Sequence, residues 1–401
     1  MRVKLTVLAV FLGVCLGVGC EKILTEAPAP GDVLDAPLPD LSRELQIMFN
    51  QGDANFEETF TVETGLGPLF NHSSCAGCHP GDGRGPSGVT FFRFTEPGGD
   101  PLRNGEPQLQ QFAIPGVPPE TLPPGALVSP RTAPPVFGVG LIEAIPEATI
   151  LANADPGDAD GDGISGRPNM VPAAPFVPAT EVGGGPGLHV GRFGLKANNA
   201  SILEQTVGAY LQDIGVTSDF VPQDIHHPRG NGSAIGDNVP DPELPAARVL
   251  QTVMYLRLLA PPARGPLTAE VTQGDQIFKS IGCAKCHIPS MRTGPHTIPQ
   301  LSNVEVNLYS DLLLHDMGPA LADNRPDHQA SGSEWKTRPL WGLRLVRDFL
   351  GGQPFYLHDA RTSDLSEAIR LHGGEAQAAR DAFTGLSDAE KQALLAFLNS
   401  L

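Results

Sequence analysis

The chain carries the stretch Cys75-Ala76-Gly77-Cys78-His79 and, 208 residues further on, Cys283-Ala284-Lys285-Cys286-His287. In each, two thiols stand two residues apart and an imidazole follows at once. On a helical turn this spacing brings both sulfurs to one edge of a flat macrocycle, and the adjacent His can then swing onto its metal. The pattern is that of covalent haem attachment. One copy arises easily by chance; two, each followed directly by His, predict two c-type haems, one on Cys75, Cys78 and His79 and one on Cys283, Cys286 and His287. A four-cysteine zinc site or two redox dithiols would use the same thiols. Zinc would leave both histidines unexplained, and neither pair sits in the strand-turn-helix context that a redox dithiol needs.

The other cysteines are Cys15 and Cys20, so none remains for a structural disulfide. Arg2 and Lys4 precede an apolar run, Leu5 to Val18, that is too short for a comfortable membrane span and reads as an export signal. Gly19-Cys20 then reads as a lipoprotein cleavage site, with Cys20 carrying the lipid, although Leu16 stands one place further from it than the usual pattern. Residues 1–20 form the signal and 21–40 a flexible tether. The expected location is periplasmic or at the cell envelope, with membrane contact through the lipid anchor only. A formal charge of -18 argues against nucleic acid or anionic membrane surfaces as partners. The 401 residues suit two domains, and 46 glycines with 40 prolines predict many ordered loops rather than disorder.

The two halves share more than the thiol motif. Phe70 and Phe278 each stand five residues before a first Cys, and each is expected to pack beside a haem edge. Arg131-Thr132-Ala133-Pro134 recurs as Lys336-Thr337-Arg338-Pro339, with the Thr 57 and 54 residues after the first Cys. Leu203-Glu204-Gln205 corresponds to Ser366-Glu367-Ala368. Each half closes on an amphipathic helix, one through Val249, Leu250, Val253, Met254 and Leu256, the other through Leu394, Leu395, Phe397, Leu398 and Leu401 with Ser387 and Glu390 as a capping box. This order predicts a mainly α protein of two cytochrome c-like haem domains, 41–262 and 263–401, with long ordered loops at 79–130 and 153–187.

Further segments carry a family likeness: Gly140-Leu141-Ile142-Glu143-Ala144-Ile145-Pro146, the run Asp158 to Arg167, Gly191-Arg192-Phe193-Gly194, Tyr309 to Gly318, Leu357-His358-Asp359 and His372-Gly373-Gly374. Through them the chain resembles the bacterial dihaem cytochrome c peroxidases, and most closely the branch called dihaem oxidoreductases or thiol oxidoreductases. The resemblance implies a first haem that reacts with peroxide and a second that delivers electrons, received from a small cytochrome or cupredoxin. It implies that Glu204, in Glu204-Gln205-Thr206-Val207-Gly208, is the acid and base beside the open iron, with Glu143 the second candidate. His372 stands where relatives carry the distal ligand of the second haem, and Met317 is its rival. The close family has Trp where this chain has Leu195; its two Trp residues, Trp335 and Trp341, lie in the second half.

Asp158, Asp160 and Asp162, at alternate positions before Gly163, resemble a calcium loop, although position twelve is Asn169 rather than an acid. The resemblance supports calcium there, since dihaem peroxidases hold it between their domains. Three functions fit: a peroxidase, a plain electron carrier, or a haem-dependent oxidase of protein side chains. A free position on the first iron separates the first from the second.

Overall fold

The computed structural model describes residues 33–86, 88, 90–95, 108–185, 187–224, 235–237, 239–350 and 352–401. The expected signal, Cys20 and most of the tether lie outside them. Its helices are α1 (Arg43–Glu57), α2 (Cys75–Cys78), α3 (Val139–Glu143), α4 (Glu147–Leu151), α5 (Ile202–Ala209), α6 (Ala246–Leu258), α7 (Ala269–Ser280), α8 (Val346–Phe349), α9 (Leu365–Arg370), α10 (Gln377–Gly385) and α11 (Asp388–Leu398). Strands are short and form antiparallel pairs, the longest being Thr90–Thr95 on Leu127–Thr132. No helix among the described residues is long and apolar enough to cross a membrane.

Two helix crossings organise the chain: α1 packs on α6, and α7 packs on α11. Each needs a glycine. A Cβ on Gly52 would lie 2.2 Å from the Gln251 carbonyl oxygen and 2.5 Å from the Tyr255 Cβ; one on Gly274 would lie 2.0 Å from the Ala393 carbonyl oxygen and 2.6 Å from the Phe397 Cβ. Four residues after each glycine a buried Phe fills the angle of the crossing. Phe56 meets Tyr255 with ring centroids 5.5 Å apart, and Phe278 meets Phe397 at 5.1 Å. The same rings reach the thiol motifs, Phe56 to His79 at 6.1 Å and Phe278 to His287 at 6.3 Å.

Phe70, expected to match Phe278, does not. It lies in the two-residue strand β1 (Leu69–Phe70) against Phe112, 6.0 Å away. The first Cys follows Gly52 by 23 residues but Gly274 by nine, so counting back five from Cys75 lands on inserted chain. The repeat is instead Gln51-Gly52-Asp53-Ala54-Asn55-Phe56 with Gln273-Gly274-Asp275-Gln276-Ile277-Phe278.

Replacing Gly274 with Ala should destabilise the haem-loaded protein by about 1–3 kcal/mol, because backbone must move to admit the methyl group. Thermal unfolding checks this, with Gly385→Ala as control, since a Cβ there would meet nothing within 4 Å. Equal losses in both variants would refute a special need at the crossing.

The closing helices behave largely as their patterns predict. Ser387 and Glu390 form the capping box, and α11 buries Leu394, Phe397 and Leu398. In α6, Val249, Val253 and Leu256 are buried with Thr252 and Tyr255, while Leu250 is exposed. Residues 263–401 have a cluster of their own, built on Val271, Phe278, Phe383 and Phe397. The middle of that half packs elsewhere: Met291, Leu308, Leu313, Trp341 and Leu345 join the core of the first half. An isolated bridge between Arg167 and Leu314 and a hydrogen bond from the Lys336 amide to the Leu195 carbonyl (3.1 Å) tie the halves together.

Candidate functional site: two adjoining cavities

Each thiol motif opens on a cavity. The first, of about 1210 Å³, is lined by Cys75, Cys78 and His79, and exceeds the roughly 300–1,000 Å³ of ordinary small-ligand pockets. Ser74 caps α2, its hydroxyl accepting from the Gly77 amide at 3.1 Å, and the His79 amide donates to the Cys75 carbonyl at 3.0 Å. The His79 ring faces the cavity, and burial pushes its pKa down to about 4, so it stays neutral with a lone pair to offer. Cys283, Cys286 and His287 line the second cavity, of about 460 Å³. The two thiol pairs therefore do not share one zinc ion.

Glu204 lies on the first cavity's wall, on α5, whose cap Ser201 accepts from the Glu204 amide at 3.1 Å. Glu143 is not on that wall. One carboxylate oxygen accepts from the Ile202 amide (2.7 Å) and the other from Arg257 Nε (2.7 Å), which ties α3, the start of α5, and α6 together. It positions the helix that presents Glu204. Three further acids line it, Asp213, Asp224 and Asp327, the last paired with Arg131 and Arg325. Asp213 sits in a π-helical turn, Tyr210–Ile214, accepts from Gln108, and is pushed up to about 6 by burial. Asp224 is pushed up to about 8, by burial first and then by Asp241, Glu243 and Asp237. Neither Asp213 nor Asp224 has a motif around it that could have marked it.

His372 and Met317 both reach the second cavity. His287 Nδ1 donates to the Tyr309 carbonyl (3.0 Å) and His372 Nδ1 to the Ala368 carbonyl (2.8 Å). A carbonyl only accepts, so in both rings the proton is on Nδ1 and Nε2 keeps its lone pair. Burial lowers both pKa values, that of His287 to about 4. His315, also on the wall, is different: its nitrogens donate to Asp311 and Glu375, each at 2.8 Å. Burial opposes its charge, but bonds to Asp311, Cys286 and Glu375 win and hold it up to about 12, as a cation with no lone pair for a metal. His358 stacks on Trp335, ring centroids 3.8 Å apart.

The cavities share a wall. Phe137, Leu195, Lys336, Arg338 and Trp341 line both. Of the recurring segments, Arg131 to Pro134 line the first cavity alone, whereas Lys336 to Pro339 line the second, with Lys336, Arg338 and Pro339 reaching both. Lys336 Nζ donates to the Arg192 carbonyl (2.6 Å), Arg338 to the Leu357 carbonyl (3.4 Å), and Arg84 to that same carbonyl. Burial pushes Lys336 down to about 7 and Arg338 to about 10, and lowers Arg84. No carboxylate among the described residues forms an ion pair with Lys336 or Arg338. Buried cations call for counter-anions, and a haem brings two propionates. By contrast Lys196, also buried, has its own acid in Asp323 at 2.8 Å. Thiols, neutral imidazoles, volume and uncompensated cations thus all fit a haem in each cavity.

Around the proposed calcium loop the acids regroup. Asp155, Asp158 and Asp160 bring carboxylate oxygens within 4.8 Å of one another. Asp162, expected with them, pairs instead with Lys285 of the second thiol motif at 2.9 Å. The turn at Gly161 and Gly163 sends it outward to the other half of the chain.

The two cavities define a di-haem redox protein. The chain belongs to the di-haem oxidoreductase family (di-haem oxidoreductase, putative peroxidase), which it matches over residues 19–95 and 123–401, and is an oxidoreductase of that kind. No curated protein matches it. Among solved structures it is similar to the hydrazine synthase of Kuenenia stuttgartiensis, at 15% identity and a TM-score of 0.38, over 95% of this chain and 97% of that one. It is also similar to a MauG-like protein associated with microbial copper homeostasis, at 14% identity and a TM-score of 0.39, over 94% of each. Likeness of this degree carries no argument about the chemistry here.

Proposed function

We propose that this is a periplasmic c-type cytochrome of two haem domains that reduces peroxide at the first haem with electrons received at the second. The carrying observation is the asymmetry of the cavities. The second presents two imidazoles with Nε2 unprotonated, His287 and His372. The first presents His79, and with α5 and α9 matched on Glu204 and Glu367, the position of His372 is occupied by Ala209, whose methyl group cannot bind iron. The other imidazole on that wall, His328, is exposed. Cys75, Cys78 and His79 would hold a haem there, which when bound would supply electrons to the peroxide oxygen-oxygen bond.

The chain's own part is to move protons and guide electrons. Glu204 takes the proton that peroxide loses and returns it to the leaving oxygen; two electrons and two protons then convert one peroxide to two waters. Trp341 and Phe137 stand in the shared wall, so this chain places an indole between the cavities from its second half, where its relatives use the position of Leu195. Thioethers at Cys75, Cys78, Cys283 and Cys286, a lipid on Cys20, calcium on Asp155, Asp158 and Asp160, and a small cytochrome or cupredoxin as donor belong to the same reading.

Electron paramagnetic resonance of the haem-matured protein, as isolated and after one-electron reduction, tests it. A high-spin ferric signal from the first haem is expected in at least one state, beside a low-spin signal from the second. Low-spin signals alone in both states would make the protein an electron carrier.

A further inference from the structure

Asp224, Asp237 and Asp241 have no place in the haem chemistry above, yet they bring one carboxylate oxygen each within 4.8 Å of one another. Two ligands across a Ca²⁺ ion, at about 2.3–2.6 Å each, stand up to roughly 5 Å apart, so a single ion can touch all three. Asp224 is 7% exposed, and its Oδ2 has no hydrogen-bond partner. Nor does a Lys or Arg among the described residues form an ion pair with any of the three acids. Asp237 Oδ1 accepts from the Val239 amide (3.2 Å) and Asp241 Oδ1 from the Thr217 hydroxyl (2.8 Å), so the two outer acids are steered by the chain while the inner one is left bare. A buried acid that no Lys or Arg among the described residues offsets must keep a proton or hold a cation.

We propose that Asp224, Asp237 and Asp241 form a binding site for one hard divalent cation, Ca²⁺ being the class that an all-oxygen set of carboxylates fits. The site is separate from the Asp155 loop. There the carboxylates already accept backbone N–H groups, Asp155 from Ala159 (2.7 Å) and Asp158 from Gly163 (3.1 Å). Asp224 also lines the first cavity, as does Gln223 before it. Cation binding would therefore fix that stretch of wall.

The test is calorimetric titration of CaCl₂ into haem-loaded protein stripped with chelator, comparing wild type with Asp224→Asn and Asp158→Asn. Asp224→Asn should lose one equivalent of Ca²⁺, or bind it at least tenfold more weakly, while Asp158→Asn retains that equivalent. In chelator Asp224→Asn should unfold at the same temperature as wild type or higher, since it removes a buried acid, and added Ca²⁺ should raise the wild-type midpoint more. Asp241→Asn, at an exposed position, repeats the comparison should Asp224→Asn not fold. Unchanged stoichiometry and affinity in these variants, or no binding by wild type beyond what Asp158→Asn abolishes, overturns the proposal. None of these readouts depends on peroxide turnover.

Discussion

Replacing Glu204 with Gln should lower peroxide turnover by about 10²- to 10⁴-fold, the range a positioned general acid and base contributes, with both haems still attached and their spin states unchanged. The amide keeps the shape of the carboxyl and the cap at Ser201, which bonds the backbone of residue 204 rather than its side chain. What is lost is a group that can both accept and return a proton. Stopped-flow mixing of half-reduced protein with hydrogen peroxide, over a range of pH, measures it. The loss should appear in the peroxide step, and inter-haem electron transfer should be unaffected. Turnover within threefold of wild type would remove Glu204 from the chemistry and turn attention to Asp213 on the same wall. Glu143→Gln is the instructive contrast. It weakens a partly buried ion pair to Arg257, and because Glu181 still pairs with Arg257 at 3.0 Å, the cost should stay below the roughly 3–5 kcal/mol of a buried charge left alone. Its signature should be a lowered unfolding temperature rather than an altered pH profile of catalysis.

At the second haem the larger effect should come from His372. His372→Met should raise that haem's midpoint potential by on the order of 0.1 V, well inside the roughly 0.8 V that axial ligands span, because a thioether favours the reduced iron more than an imidazole does. His372→Ala should leave the haem five-coordinate and high-spin, or let Met317, on the same wall, bind in its place with the spectrum of sulfur ligation. Potentiometric titration followed by optical and paramagnetic resonance spectra separates these. A low-spin bis-imidazole signal that survives in His372→Ala would show that another ring had been the ligand. His315 is an unsuitable substitute, since both its nitrogens are engaged by Asp311 and Glu375.

The sequence made legible those parts of the protein where chemistry and spacing coincide in a few adjacent residues. The thiol motifs announce the cavities, and Arg131 to Pro134 line the first as Lys336 to Pro339 line the second. Where a feature depends on what the chain meets far away, the reading faltered. Distance from a cysteine pairs Phe70 with Phe278, but the constraint is the helix crossing, and its mark is the glycine four residues before the Phe. That signal was present in Gln51 to Phe56 and Gln273 to Phe278. Asp162 has the right loop spacing for calcium and is drawn away by Lys285, 123 residues later. Glu143 carries the likeness of a catalytic segment, yet Arg257 and the Ile202 amide consume both its oxygens. Local spacing cannot report a partner more than a hundred residues distant.

Trp341, Lys336 and Arg338 close the first cavity from a part of the chain that leaves the ribosome more than 250 residues after Cys75 and Cys78. The order of manufacture then runs against the order of enclosure. Cys75 and Cys78 are in place while one side of their chamber does not yet exist, and only arrival of the last third of the polypeptide seals it. Cutting the protein between its halves would yield a first half whose cavity lacks Trp341, Lys336 and Arg338 and stands open on that flank.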